Sequence, residues 1–200
     1  MKSAFCFDMD GTLTKLEVLP ILAREISIEP EIAVLTRATI EGFLPFEQSF
    51  CLRVRLLKDL PITQVQNIIE NIPLHNQIIE FIKINSQHSY IVTGNLDVWI
   101  KKLVKKIGCN YYSSKADYIG NKLKGVQVIL NKANAIKDLR NQGYERIIAI
   151  GDGMNDVSMF EQADIKIAFG GVHSPVLSLI KLADYITYHE KSLCNILNML

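Results

Sequence analysis

The sequence predicts an α/β fold built on a parallel sheet, and three observations carry that prediction. Short apolar runs recur along the 200 residues, amphipathic stretches lie between them, and the residues just past the runs are acids, threonine and glycine. Ser3 to Phe7 is the first run, and it meets Asp8-Met9-Asp10-Gly11, the pattern of a buried strand that ends in a loop. The interval from Leu13 to Ile72 reads differently. Leu16 to Ile26, Pro30 to Gly42, Pro45 to Leu60 and Thr63 to Ile72 are helical patterns separated by Pro or Gly, with no strand among them, so the interval is a helical insert. Ser89 to Val92 resumes the strand pattern. Leu96 to Ile107 then reads as a helix, with Trp99, Leu103 and Ile107 on one face. Its lysines, Lys101, Lys102, Lys105 and Lys106, form a solvated face that complements the helix dipole ahead of Gly108. Tyr111 to Val128 holds two β-rich runs around Gly120-Asn121-Lys122, which predicts a hairpin. Arg146 to Ile150 and Ile165 to Phe169 complete the set of buried strands. Strands alternating with helices give right-handed crossovers, and ligands of such sheets gather beyond the C-terminal strand ends.

Composition narrows the function. Hydrophobic residues make up 48% of the chain and charged residues 22%, with 11 Gly and 6 Pro, which excludes disordered, collagen-like and low-complexity classes. Lys and Arg number 22 against 21 Asp and Glu, so no uniform field exists to hold a nucleic acid or a membrane surface. Any preference for phosphate must be local. Cys6, Cys51, Cys109 and Cys194 form no CxxC pair, which leaves neither zinc-ligand spacing nor a redox pair. No stretch reaches the ~18 uninterrupted apolar residues of a membrane span, and the first residues lack the apolar run of a signal peptide, so a cytoplasmic location is expected. Internal repeats are absent.

The chemistry sits in four strand-end segments. Asp8-Met9-Asp10-Gly11-Thr12 places two carboxylates two residues apart after a buried strand. Asp-Gly is a common turn former, yet two acids there repel unless a cation or substrate lies between them. Gly151-Asp152-Gly153-Met154-Asn155-Asp156 is a second acidic loop after a strand, although Asn155 or Asp156 alone could simply start a helix. Acids from two loops that meet at one sheet edge, without thiol or imidazole, are a Mg²⁺ site, because Mg²⁺ favours hard oxygen ligands and shares phosphate oxygens. Thr93-Gly94-Asn95 closes another strand and opens a helix, offering a hydroxyl and free amides to an anion, or simply an N-cap. Lys132 stands near a helix start, where the dipole disfavours a cation and an anionic partner explains it.

In this order, the segments resemble the haloacid dehalogenase superfamily of phosphotransferases, marked by DxDG[TS], a Thr or Ser, a Lys and a GDxxND-type loop. The chain is most similar to the phosphoserine phosphatases, through Glu17, Glu41-Gly42-Phe43-Leu44-Pro45-Phe46-Glu47-Gln48-Ser49, Arg53 and Leu56-Leu57-Lys58-Asp59-Leu60-Pro61. The resemblance implies a Rossmann-like core, residues 1–14 and 73–200, with a small helical-bundle cap, residues 15–72, inserted after the first strand. It implies that Asp8 is the nucleophile that becomes an aspartyl phosphate and that Asp10 is the general acid and base. Mg²⁺ would lie on the carboxylates of Asp8 and Asp152 and the backbone carbonyl of Asp10, with Asp156 orienting the site. Thr93, the amide of Gly94, Lys132 and Asn155 would hold the phosphoryl oxygens. Glu17 would meet a substrate ammonium, Arg53 its carboxylate, and Phe46 would line the same pocket.

Two positions depart from the family pattern. Thr93-Gly94-Asn95 stands where Ser-Gly-Gly is usual, and Ile40 where Met is frequent. The expected activity is Mg²⁺-dependent hydrolysis of a small phosphorylated substrate, L-phosphoserine, with no nucleic-acid or membrane partner and the oligomeric state open. The alternatives are a capped phosphatase for another phosphorylated amino alcohol or sugar, and a phospho-accepting signalling receiver. A receiver is much shorter and lacks the second acid, Asp10.

Overall fold

The computed structural model describes residues 2–200. Its centre is β1 (Ser3–Phe7), flanked by β2 (Ser89–Leu96) and β5 (Arg146–Gly151), both parallel to it. Beyond β2 lie β3 (Asn110–Ile119) and β4 (Lys122–Val128), and beyond β5 lie β6 (Ile165–Phe169) and β7 (Tyr185–Thr187). The sheet order is β4-β3-β2-β1-β5-β6-β7, parallel throughout except for the antiparallel β3–β4 pair, the predicted hairpin. Among the described residues no helix is long and apolar enough to cross a membrane.

Alternation along the strands feeds two apolar layers, as expected of a sheet covered on both faces. Ala4, Cys6, Val92, Ile147, Ala149 and Ala168 point to one side. They pack against Ile136 and Leu139 of α7 (Lys132–Asn141), Met159 and Phe160 of α8 (Val157–Phe160) and Leu179 of α9 (Leu177–Leu182). Phe7, Ile91, Ile148, Ile150, Ile167 and Phe169 point to the other side. There they meet α5 (Asn76–Ile84), α6 (Asp97–Ile107) and α10 (Glu190–Met199). The aromatic centre of that layer is Phe81, edge-on to Phe5 at 5.0 Å and to Phe7 at 6.3 Å between ring centroids.

Between β1 and β2 the chain makes one helical excursion: α1 (Val18–Ala23) continued by a 3₁₀ turn, α2 (Glu29–Ile40), α3 (Phe46–Leu57) and α4 (Ile62–Glu70). Proline precedes or opens three of these helices. Pro30 lies in the first turn of α2, and Pro45 and Pro61 sit just before α3 and α4, positions where its missing N–H costs nothing. The excursion leaves and returns at one place. Lys15 N–H donates to the Pro73 carbonyl (2.8 Å), His75 N–H to the Leu13 carbonyl (3.0 Å), and Thr14 bridges Leu74 in an antiparallel pair. The base of the insert is thereby pinned beside the end of β1.

Three features differ from the sequence reading. Helices α5, α9 and α10 and the three-residue strand β7 were not read as separate elements, the last being too short to show a period. Strand β2 runs on to Leu96 with an irregular register against β3 between Thr93 and Leu96, so α6 starts at Asp97. Thr93, Gly94 and Asn95 therefore belong to the irregular end of a strand rather than to a helix start. Gly108 terminates α6 at φ +82°, the left-handed C-cap its position predicts. Replacing Phe81 by Ala should cost ~3–5 kcal/mol, because a buried ring shared by two strand residues leaves a cavity the sheet cannot close. Urea denaturation measures it, and a loss below ~1 kcal/mol would mean the ring is not central to the layer.

Candidate active site

The loop after β1 is folded tightly by its own backbone. Asp8 N–H donates to the Ile150 carbonyl (2.9 Å), which carries the β1–β5 register past the strand end. The Met9 carbonyl accepts N–H bonds from Leu13 and Thr14, and Gly11 donates to Thr14 Oγ1 (3.2 Å). Gly11 sits at φ +74°, and a Cβ there would lie 2.8 Å from Asp152 Oδ2. Both the conformation and the close approach of the second loop require glycine.

Three carboxylates, those of Asp8, Asp152 and Asp156, converge with oxygens within 4.8 Å of one another, all buried. Lys132, the first residue of α7 and only 3% exposed, lies among them. Its Nζ donates to Asp8 Oδ1 and to Asp156 Oδ1 (2.6 Å). Burial alone would lower the ammonium's pKa, but the charges of Asp156 and Asp8 outweigh it and the net shift is upward. A cation at a helix N-terminus thus has the anionic partners its position demanded.

The acids divide by how their oxygens are used. Asp156 spends Oδ2 on the N–H groups of Asp152 and Gly153 (3.1 Å each) and Oδ1 on Lys132, so it organises its own loop. Asp152 accepts from Thr12 at Oδ1 (3.2 Å), and Asp8 accepts from Lys132 at Oδ1. Among the described residues the Oδ2 atoms of Asp8 and Asp152 take no hydrogen bond. Burial first, and the neighbouring carboxylates second, raise Asp8 and Asp152 well above the ordinary carboxylate range. A pair of free, mutually repelling, hard oxygen donors with no thiol or imidazole beside them fits a divalent cation.

Asp10 stands on the cavity side of the same turn. Its Oδ1 accepts from Val18 N–H at the start of α1 (3.0 Å), and its Oδ2 accepts from the Asn95 side-chain amide. Burial, followed by the charge of Glu17, raises its pKa to about 7. Thr93 is fully buried, and its Oγ1 accepts from Asn95 N–H (3.1 Å). Gly94 faces Phe46, whose Cζ would be 2.2 Å from a Cβ at that position.

The insert supplies the opposite wall. Arg53 on α3 is 4% exposed; it donates from Nη1 to Thr36 Oγ1 (2.9 Å) and from Nε to the Ser49 carbonyl (3.3 Å). Among the described residues no carboxylate lies within 4.0 Å of it, and burial pulls its pKa down to about 10. Phe46 stacks on Phe50 at 5.3 Å and 11°. Glu17 Oε1 is 3.2 Å from His173 Nε2, a contact that raises the His173 pKa.

One cavity brings together Asp8, Asp10, Glu17, Phe46, Arg53, Gly94, Asn95, Asp152 and Asn155. Lys132 and Asp156 stand behind Asp8, and Lys132 also borders an adjoining hollow with Phe46 and Asn155. Every site residue singled out from the sequence is thus at this edge or directly behind it. The residues missed were Thr12, Thr36 and His173. The last follows Gly170-Gly171 at the end of β6, a loop at the same sheet edge that could have been suspected on topology alone.

Comparison with known proteins agrees with this geometry. The haloacid dehalogenase-like hydrolase family matches residues 5–161. A phosphoserine phosphatase of Methanocaldococcus jannaschii is 37% identical over 180 residues, spanning 84% of this chain and 85% of that one. A substrate-bound phosphoserine phosphatase complex superposes with a TM-score of 0.83 at 32% identity, covering 100% of this chain and 98% of the other. A phospho-aspartyl intermediate analogue of phosphoserine phosphatase gives a TM-score of 0.82 at 31% identity, with 98% of both chains covered. The chain belongs to the haloacid dehalogenase-like hydrolases.

The contact between strand end and insert is testable without an assay. Gly94→Ala should destabilise by ~1–3 kcal/mol through overpacking against Phe46. In the Phe46→Ala background most of that cost should vanish, giving a coupling energy readable by a double-mutant denaturation cycle. Additive losses would show that Gly94 answers to something other than this ring.

Proposed function

We propose that this hydrolase is a Mg²⁺-dependent phosphomonoesterase that cleaves L-phosphoserine to serine and phosphate through an aspartyl phosphate on Asp8. The observation that carries the reading is the facing of two charge sets across one cavity. The Asp8–Lys132–Asp156 cluster lies on the sheet edge, and a buried arginine without a carboxylate partner, Arg53, lies on the insert.

Asp8 would attack phosphorus with Oδ1, the oxygen Lys132 holds toward the cavity, which leaves its free Oδ2 for the metal. Asp10 is the proton carrier: it protonates the leaving serine oxygen and later takes a proton from the water that cleaves the aspartyl phosphate. Its pKa near 7 leaves both forms available at neutral pH. Thr93, the Gly94 amide, Lys132 and Asn155 gather the phosphoryl oxygens. Asp8, Asp152 and the Asp10 carbonyl would hold Mg²⁺, with Asp156 setting their loop; bound there, the ion neutralises charge between the nucleophile and the phosphate. Residues 15–72 act as a cap over a core formed by residues 1–14 and 73–200, and their closing excludes water from the first step.

Arg53 and Glu17 supply the substrate preference. A guanidinium stripped of water and lacking a counter-ion is completed by a carboxylate, and Glu17 gives the matching anion for an ammonium. L-Phosphoserine carries both groups beside its phosphate. Four free cysteines, of which Cys51 is exposed, suit a reducing compartment, and we place the enzyme in the cytoplasm on that chemistry.

Asp8→Asn should abolish phosphate release while the variant keeps the folded circular-dichroism spectrum of the wild type, and EDTA should silence the wild type until Mg²⁺ is restored. Near-normal hydrolysis by the purified variant, with deamidation excluded by mass spectrometry, would remove Asp8 as nucleophile. Arg53→Ala should lower kcat/KM for L-phosphoserine roughly ten- to hundredfold and much less for phosphoethanolamine, since a charged hydrogen bond is worth ~1.5–3 kcal/mol. Arg53→Lys should recover only part, lacking the planar fork. Equal losses on the two substrates would assign Arg53 to the support of α2 and α3 instead.

A further inference from the structure

We infer that Asn95 is a positioning residue for the proton carrier, holding the Asp10 carboxylate in the one orientation from which it reaches the leaving oxygen. The inference rests on the role given to Asp10 above.

Asp10 is gripped at both oxygens, by groups from two different parts of the chain. Val18 N–H, at the first turn of α1, fixes Oδ1 at 3.0 Å, and the Asn95 amide, at the irregular end of β2, fixes Oδ2. Two bonds from opposite sides remove the rotation about χ2 that a single bond would leave. The amide is itself braced, because Asn95 Nδ2 also lies 3.3 Å from Thr93 Oγ1 and the Asn95 backbone N–H donates to that same oxygen.

The other end of the amide shows that Asn95 is not a structural strut. Its Oδ1 is buried and has no hydrogen-bond partner in the protein, and the residue is 4% exposed. Every polar bond of this side chain therefore goes to Asp10 or to Thr93. A residue kept for packing alone would be better served by an apolar side chain of similar size, which would bury no unpaired acceptor. The cost is sensible if orientation of the carboxylate is what the amide provides. Proton transfer needs a heavy-atom approach of ~2.6–3.2 Å, and misplacement by about 1 Å is worth up to ~100-fold in rate.

The consequence is specific to the leaving group. Expulsion of the serine alkoxide needs a proton from Asp10, whereas p-nitrophenolate leaves without one. Because kcat/KM reports steps up to departure of the leaving group, it isolates this transfer from the later hydrolysis that both substrates share. With Mg²⁺ and the full chain, Asn95→Ala and Asn95→Leu should each lose roughly ten- to hundredfold in kcat/KM on L-phosphoserine and less than about threefold on p-nitrophenyl phosphate. Equal losses on the two substrates, or no loss on either, would overturn the inference. So would recovery of L-phosphoserine activity by Leu relative to Ala, since that would reveal a space-filling role. Wild-type enzyme that hydrolyses p-nitrophenyl phosphate but not L-phosphoserine would refute the substrate reading alone. Glycerol 2-phosphate, another alkyl ester, would then replace L-phosphoserine in the same comparison and decide the role of Asn95 by the same ratios. Wild-type enzyme that hydrolyses no phosphomonoester would overturn both.

Discussion

A single buried ammonium holds this site together. Three carboxylates from two loops cannot share a dry pocket without positive charge, and Lys132 supplies it by bonding Asp8 on one loop and Asp156 on the other. The lysine can reach both because α7 begins at that residue, so its stem rises directly from the sheet edge. Burial and the helix dipole each oppose a cation there, and only the two acids make the position tolerable. The loops, the strand ends and the start of α7 are therefore fixed relative to one another by charge as much as by packing. What the lysine leaves over is the pair of free oxygens on Asp8 and Asp152, and that remainder gives the site its appetite for a divalent cation.

Glycine and packing then bring the surrounding parts close enough to act together. Gly11 lets the first acidic loop approach Asp152, and Gly94 lets the end of β2 approach Phe46 on α3. The insert is tied down where Lys15 and His75 bond across its base, one residue before the chain reaches Leu16 and Glu17. Val18 at the start of α1 holds one oxygen of Asp10. The same short segment therefore anchors the insert, orients the second acid and presents Glu17 to the cavity. On the proposed reading this is how cap position and proton transfer are mechanically linked.

Much of this was legible from the sequence, and the reasons differ by residue. The apolar runs that lead into Asp8, Thr93 and Asp152 announce themselves because a parallel strand buried on both faces is continuously apolar, and an acid or hydroxyl breaks the run. The insert was visible through its prolines, which mark the beginnings of α2, α3 and α4. Strand β7, three residues long and half exposed, carries no such signal. Thr93-Gly94-Asn95 has the composition of a helix cap, yet the backbone there continues as an irregular strand to Leu96, which caps α6. The meeting of the two acidic loops was expected from their chemistry, whereas other individual side-chain pairs were not legible. Nothing in the sequence ties His173 to Glu17, 156 positions away, or Asn95 to Asp10, since those contacts exist only once the sheet order has put β2 and β6 on either side of β1 and β5.

Arg53 shows why an incomplete set of interactions says more about function than a complete one. Lys132 is satisfied by two carboxylates, and its burial is explained by the protein alone. Arg53 is as deeply buried but has only a threonine hydroxyl and a backbone carbonyl, two neutral acceptors for a fork of five donors. Its depressed pKa records the water it has given up without an ion pair in return. Thr36 and Ser49 hold the guanidinium still, so the remaining donors are aimed rather than free, and the cavity they share with Asp8 is where a partner must come from. On the proposed reading, an anion at Arg53 and a phosphate at Lys132 belong to one molecule, which favours phosphate esters that carry a second acidic group.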